Sequence, residues 1–146
     1  MAKKILVIDD EPDALTFIET VLLDNGFEPL TTTSAVESLN IAKQKHPDLI
    51  LLDLIMPDKS GITVFQELKT EPVLKDIPVI VVSGVSQVTG ADFRDFSFKL
   101  PDPKGQSNGE VTYVRPEGFV EKPIDPSELL RVIEEVLRGH MSTPQE

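Results

Sequence analysis

Runs of apolar residues alternate with longer amphipathic segments along most of the chain. Three runs contain no polar residue and occupy residues 5–8, 49–52 and 79–82. Such runs are typical of strands that are buried on both faces of a parallel sheet. A weaker run at residues 27–32 contains Pro29, which cannot donate a ladder hydrogen bond, so we place this strand at a sheet edge. Residues 118–121 form a short fifth strand.

The segments between these runs carry apolar residues at helical spacing. The predicted helices begin near Pro12, Ser34, Thr63 and Asp125. Ser34 and Glu37 have the spacing of a capping box. This alternation of strands and helices predicts an α/β fold, a flavodoxin-like three-layer sandwich with a five-stranded parallel sheet in the order 2-1-3-4-5. In such sheets ligands bind beyond the carboxyl ends of the strands.

Composition narrows the classes of function. The chain has 146 residues, of which 40% are hydrophobic and 27% charged, as expected for one globular domain. The net charge of −11 argues against direct binding to nucleic acid or to an anionic membrane. The absence of cysteine excludes disulfides, thiolate metal sites and cysteine nucleophiles. No apolar run is long enough for a membrane span or a signal peptide, so we expect a cytoplasmic protein.

The residues that end the strands carry the candidate chemistry: Asp9, Asp10, Asp53, Ser83 and Lys122. Parallel strands bring them to one rim of the sheet. Two carboxylates about 4 Å apart repel by roughly 4 kcal/mol at an effective dielectric near 20. A divalent cation with oxygen ligands, Mg²⁺, relieves this repulsion. Asp53 then has the surroundings of a nucleophile for a phosphoryl group, and the Ser83 hydroxyl is placed to donate to the phosphate.

Each of these residues has an ordinary alternative when it is taken alone. A single acid at a strand end is usually a helix cap, and a single lysine is usually a surface charge. Their joint occurrence at the ends of four strands favours a site. Nucleotide binding is poorly supported, because the chain has no glycine-rich phosphate loop and its first strand ends in acids. Phosphatases of the haloacid dehalogenase type have a second Asp two residues after the nucleophilic Asp. This chain has Ile55 at that position, so this alternative is poorly supported. His46 and His140 are interpreted as surface residues.

Several segments resemble the receiver domain of response regulators. The resemblance lies in residues 5–12, 53–61, 81–84 and 119–123. It extends from about residue 3 to residue 138, with an interruption between about 85 and 118.

The resemblance implies a phosphoacceptor switch of a two-component or phosphorelay system. Asp53 is the implied acceptor of a phosphoryl group from a histidine kinase or a phosphotransfer protein. Lys122 is implied to pair with Asp53 and then with the phosphate. Ser83 and Phe119 are the implied switch pair, in which the hydroxyl moves to the phosphate and the ring turns inward.

The resemblance also implies a Mg²⁺ site. Asp10 and Asp53 would bind the ion directly, the backbone carbonyl of Ile55 would be a third ligand, and Asp9 would act mostly through water. Such a protein is a switch and not an enzyme, since it promotes only its own phosphorylation and dephosphorylation. The alternative is a receiver-like module that binds proteins without being phosphorylated. The complete acidic set with Lys122 favours the switch.

We expect a receiver domain over residues 1–139, with an insertion at about 85–117, and a flexible tail at 140–146. No output domain is expected after Gly139, so output depends on an unknown downstream protein partner or on relay of the phosphoryl group. The sequence suits both a stand-alone regulator and a piece of a longer protein.

The insertion is the main departure from the family pattern. The 38 residues at 84–121 exceed the roughly 20 to 25 that one helix, two loops and a short strand need. Alternation of apolar and polar residues around Phe98 and Tyr113 predicts an inserted hairpin over about residues 94–115, with a shortened or missing fourth helix. Two interpretations of the aromatic residues here stay open, a small local core and an exposed partner surface.

Overall fold

The structure is a computed structural model that describes residues 2–54, 61–83, 98–99, 113–114 and 116–141. The strands in these ranges are β1 (Lys4–Ile8), β2 (Glu28–Thr32), β3 (Leu49–Asp53), β4 (Val79–Ser83), β5 (Phe98–Lys99), β6 (Tyr113–Val114) and β7 (Gly118–Glu121). The helices are α1 (Pro12–Asp24), α2 (Ala35–Lys45), α3 (Gly61–Thr70) and α4 (Pro126–Met141).

Five parallel strands form the central sheet in the order β2-β1-β3-β4-β7. This order confirms the predicted flavodoxin-like sheet, with β7 as its fifth strand. The weaker strand with Pro29 lies at an edge, as expected. The register aligns Asp53 with Val82 and Ser83 with Glu121, so the strands end close together at one rim.

Side chains that alternate along the strands enter two cores, one on each face of the sheet. On one face, Ile5, Val7 and Leu51 pack with buried residues of α1 and α4. On the other face, Leu6 and Ile50 pack with α2 and α3. Each fully buried aliphatic side chain contributes about 1.5–3 kcal/mol to the hydrophobic stabilisation. The result is the predicted three-layer sandwich.

Local signals explain how the helices begin and end. Pro12 occupies the first turn of α1, where its missing N–H costs nothing. The Ser34 side chain accepts a hydrogen bond of 3.1 Å from the Glu37 backbone N–H, so half of the predicted capping box is formed. Helix α2 ends at Lys45, and the residue that caps it, His46, has a left-handed φ of 50°. Helix α3 begins at Gly61, earlier than the predicted Thr63.

Part of the predicted insertion is described. Strands β5 and β6 pair antiparallel, with Phe98 opposite Val114 and Lys99 opposite Tyr113, as expected for a hairpin. Residues 84–97, 100–112 and 115 lie outside the described residues. The expectation of a shortened or missing helix between β4 and β7 therefore stays a prediction. Helix α4 ends at Met141, later than the boundary expected at Gly139, and residues 142–146 of the expected tail also lie outside the described ranges.

Candidate functional site

Three carboxylates meet at the carboxyl rim of the sheet. Asp9 follows β1, Asp10 is next to it, and Asp53 is the last residue of β3. One carboxylate oxygen from each lies within 4.8 Å of the others. Asp9 and Asp53 are only 1% and 4% exposed, and Asp10 is half-buried. The structure therefore brings together the three acids that the sequence analysis singled out.

The backbone holds Asp9 in place. Its N–H donates to the Thr32 carbonyl at 3.2 Å, which continues the pairing of β1 with β2 beyond the strand end. Its carboxylate Oδ1 accepts a hydrogen bond of 3.0 Å from the Glu11 N–H, where the chain turns into α1. Asp9 is thus oriented at both its main chain and its side chain, and its second oxygen, Oδ2, points to Lys122.

Gly61 allows the chain after Asp53 to close tightly. The Gly61 N–H donates to the Leu54 carbonyl at 3.0 Å. A Cβ atom on Gly61 would lie 2.2 Å from the Asp53 carbonyl oxygen and 2.4 Å from Leu54 Cα, far inside van der Waals contact. Helix α3 can begin this close to the acids only because residue 61 has no side chain.

Lys122 lies just beyond β7 and supplies the positive charge of the site. Its Nζ is 3.1 Å from Asp9 Oδ2, 3.5 Å from Asp53 Oδ2 and 3.7 Å from Glu11 Oε1. Burial by itself lowers the pKa of Lys122. The charge of Asp53 and the hydrogen bond and charge of Asp9 outweigh burial, with a smaller contribution from Glu11, so the pKa is raised. Lys122 is therefore a firmly held cation.

The donor set suits a hard divalent cation. Three carboxylates and one ammonium leave an excess of negative charge in a largely buried cluster, and all the offered atoms are oxygens. Mg²⁺ prefers such ligands, and it commonly keeps several waters beside one or two carboxylates. The predicted fourth contributor, the Ile55 carbonyl, lies in the range 55–60, outside the described residues.

The two residues of the expected switch pair are described to different extents. Ser83 ends β4 at the same rim, opposite Glu121, and its side chain is outside the described part of the structure. Phe119 pairs with Val81 in the sheet and is half-buried against the core on the α2 and α3 side. Their role as a switch pair stays a prediction.

The sequence analysis missed the participation of Glu11. Its carboxylate is the third acidic neighbour of the Lys122 ammonium, although the side chain is 67% exposed. Its place directly after the paired acids was the available signal. The ion pair of Lys69 with Glu117, at the opposite end of the sheet, was also not predicted from the sequence.

Comparison with known proteins shows the family. Residues 5–93 match the model of the response regulator receiver domain. The phosphate regulon transcriptional regulatory protein PhoB of Escherichia coli is 30% identical over 140 residues, which are 94% of this chain and 53% of PhoB. The polar-differentiation response regulator DivK of Brucella ovis is 28% identical over 137 residues, 94% of this chain and 98% of DivK. This chain therefore spans about half the length of PhoB.

A solved structure supports the fold. The chemotaxis response regulator CheY4 of Vibrio cholerae has a TM-score of 0.71 at 21% identity, with 93% of this chain and 99% of that chain covered. The chain belongs to the response regulator receiver domain family, whose members are signalling modules of two-component systems. Among the described residues, no helix combines the length and the apolar composition that crossing a bilayer requires.

Proposed function

We propose that this domain is a Mg²⁺-dependent phosphoacceptor switch in which Asp53 receives the phosphoryl group. The observation that carries the proposal is the buried cluster of Asp9, Asp10 and Asp53 with the Lys122 ammonium against it. A structural role alone does not account for three carboxylates so close together, because their mutual repulsion opposes folding.

The phosphoryl donor is a histidine kinase or a phosphotransfer protein. An Asp53 carboxylate oxygen attacks the phosphorus of the donor phosphohistidine, the P–N bond breaks, and the imidazole leaves after it takes a proton from solvent. The product is an acyl phosphate on Asp53. Lys122, already 3.5 Å from Asp53, neutralises charge on the transferred oxygens.

Asp10 and Asp53 would hold the Mg²⁺ ion directly, and Asp9 would act mostly through water. When bound, the ion supplies positive charge to the phosphoryl oxygens and screens the carboxylates from one another. The excess negative charge of the cluster and its oxygen-only donor set support this assignment.

Phosphorylation changes partner binding through Ser83 and Phe119. The Ser83 hydroxyl donates to the new phosphate, and the half-buried Phe119 ring turns further inward, which couples the site to the surface around β7. The downstream partner is a protein and not nucleic acid, as the net charge of −11 suggests. The catalysis is confined to the domain's own phosphorylation and dephosphorylation. We place the switch in the cytoplasm, with its donor.

The test is incubation with a small phosphodonor, acetyl phosphate, and Mg²⁺, followed by mass spectrometry of the intact chain and its peptides. We expect a gain of one phosphoryl group, located on Asp53. Asp53→Asn should prevent the gain and keep the fold, because the change is nearly isosteric. Asp76→Asn, at an exposed acid after α3, is the matched control and should react as wild type does.

Two results contradict the proposal. The first is a phosphoryl group on another residue in the Asp53→Asn variant. The second is the absence of any mass gain with both acetyl phosphate and a phosphorylated histidine donor, which would favour the alternative, a receiver-like module that binds proteins without phosphorylation.

A further inference from the structure

An ion pair between a buried lysine and a partly exposed glutamate lies at the end of the sheet opposite the acidic cluster. The Lys69 side chain, on α3, is only 5% exposed, and its Nζ is 3.0 Å from both carboxylate oxygens of Glu117. The same ammonium donates to the Ile77 carbonyl at 3.3 Å. A buried ammonium is tolerated only where it is paired and hydrogen-bonded, and these three acceptors meet that requirement.

Glu117 also binds the backbone of β4. Its N–H donates to the Val79 carbonyl at 2.9 Å, and its Oε1 accepts from the Val79 N–H at 2.8 Å. The carboxylate thus takes the position that a strand carbonyl otherwise takes in a parallel ladder. Glu117 is the last residue before β7, so this double contact fixes the point at which β7 joins the sheet.

The register of β7 needs such a contact. The strand has four residues, of which Val120 alone is fully buried, so its apolar pattern specifies the register weakly. Residues 84–117, a long connection, separate it from β4. A slip of one residue would turn Lys122 to the opposite face of the sheet, away from Asp53.

Gly118 supports the same register by steric fit. A Cβ atom at this position would lie 2.9 Å from Val132 Cγ1, 3.1 Å from Val136 Cγ2 and 3.2 Å from Ile80 Cγ1. After a slip of one residue, Glu117 or Phe119 would have to occupy this narrow space. Adjacent residues therefore specify one alignment, Glu117 by polar contacts and Gly118 by the absence of a side chain.

We infer that Glu117 forms a register clamp, defined by its two hydrogen bonds with the Val79 backbone, that positions Lys122 at the phosphorylation site, while Lys69 neutralises the Glu117 carboxylate. The clamp acts along β7 over about 16 Å, the length of five extended residues. Glu117 is a positioning residue, because its contacts are with Val79 and Lys69 and not with the acids of the site. The inference about phosphotransfer rests on the proposed function of Asp53.

Two double variants separate the effect of the hydrogen bond between Glu117 and the Val79 backbone from the effect of the ion pair. Lys69→Met with Glu117→Gln removes both charges but keeps an amide oxygen that can accept from the Val79 N–H. Lys69→Met with Glu117→Leu removes both charges and also the acceptor. Neither leaves a buried unpaired ammonium, so both should fold. Circular dichroism and thermal unfolding check this.

The main measurement is the initial rate of Asp53 phosphorylation by acetyl phosphate at saturating Mg²⁺. We expect the Gln double variant to react nearly as fast as wild type and the Leu double variant about tenfold more slowly, because misplaced catalytic groups cost about this much or more. Equal rates in the two double variants would overturn the clamp. Lys75→Met with Glu134→Leu, at exposed positions, is the control and should match wild type.

The role of Lys122 is tested by repeating the comparison in a Lys122→Met background. The difference between the Gln and Leu double variants should disappear there, because the clamp acts through Lys122. A difference that persists would show a general structural effect and would overturn the positioning role.

Amide hydrogen exchange of β7 tests the clamp without phosphorylation. The Leu double variant should lose protection in β7, while β1 and β3 keep theirs. If the wild type takes no phosphoryl group, the proposed function fails and this comparison alone decides the clamp. Equal protection of β7 in both double variants then overturns it, and loss confined to the Leu double variant supports it.

Discussion

The Lys122 ammonium makes its shortest contact with Asp9, at 3.1 Å, and a longer one with Asp53, at 3.5 Å. Asp9 is buried, and its other oxygen is occupied by the Glu11 N–H. Asp9 therefore holds Lys122 beside Asp53, where the proposed phosphoryl transfer needs it.

The contribution of Lys122 to the free energy of unfolding should decrease at alkaline pH. Its pKa is raised above the ordinary 10.5, since the charges of Asp53, Asp9 and Glu11 outweigh the effect of burial. A cation with a raised pKa stabilises the folded state fully below its unfolded pKa, and this contribution is lost as the pH rises through the folded pKa. The difference in unfolding free energy between wild type and Lys122→Met should therefore be constant at neutral pH and shrink above pH 10.5.

Urea unfolding at a series of pH values measures this difference. Lys75→Met, at an exposed lysine, is the control, and its difference from wild type should stay within about 0.5 kcal/mol at neutral pH. A Lys122→Met difference that grows with alkaline pH would contradict the assignment of Lys122 as a stabilising cation.

Asp10 should determine the affinity for Mg²⁺. Asp10→Asn removes a carboxylate that we propose binds the ion directly, and we expect at least about a tenfold loss of affinity by titration calorimetry. Asp13→Asn is the control, because it removes the same charge from an exposed position in the first turn of α1. If both variants weaken Mg²⁺ binding equally, the effect is general electrostatics and Asp10 is not a ligand.

The left-handed residue at the end of α2 is a site for stabilisation. His46 has φ 50° and an exposed side chain, so a Cβ atom is a cost here and its removal loses no packing. His46→Gly should raise the unfolding free energy by about 0.5–1 kcal/mol. His46→Val should lower it by at least about 1 kcal/mol, because β-branched residues are disfavoured at positive φ. Urea unfolding of the two variants would contradict this if it ranked them in the opposite order.

The sequence predicted the sheet order and the acidic site because both depend on local signals. Uninterrupted apolar runs mark β1, β3 and β4, Pro29 marks the edge strand, and acids at strand ends meet wherever the strands are parallel.

The Lys69–Glu117 pair could not be predicted in this way. Lys69 lies among the buried residues of an amphipathic helix although lysine is usually solvated, and its partner lies 48 residues away, at the end of the insertion. Its pairing with Glu117, a residue that just precedes β7, is a long-range contact that no local pattern encodes. The early start of α3 at Gly61 has the same origin, since it depends on the contact with Leu54.

Gly61 should be essential to the geometry of the acidic cluster. All three atoms nearest to a Cβ at this position belong to the backbone of Asp53 and Leu54, at 2.2, 2.4 and 2.8 Å, so no side chain can rotate away to make room. Gly61→Ala must therefore displace either α3 or the end of β3. We expect a loss of about 1–3 kcal/mol in unfolding free energy, typical of overpacking, and a clear loss of Mg²⁺ affinity because Asp53 moves.

Gly139→Ala is the matched control for this change. Gly139 lies within α4, and a Cβ there would meet no atom within 4 Å. Because alanine favours a helix over glycine by roughly 0.5–1 kcal/mol, this variant should be at least as stable as wild type and bind Mg²⁺ equally well. Urea unfolding and calorimetry on both variants would contradict the role of Gly61 if Gly61→Ala kept wild-type stability and Mg²⁺ affinity, since the chain after Asp53 would then have room that the structure denies it.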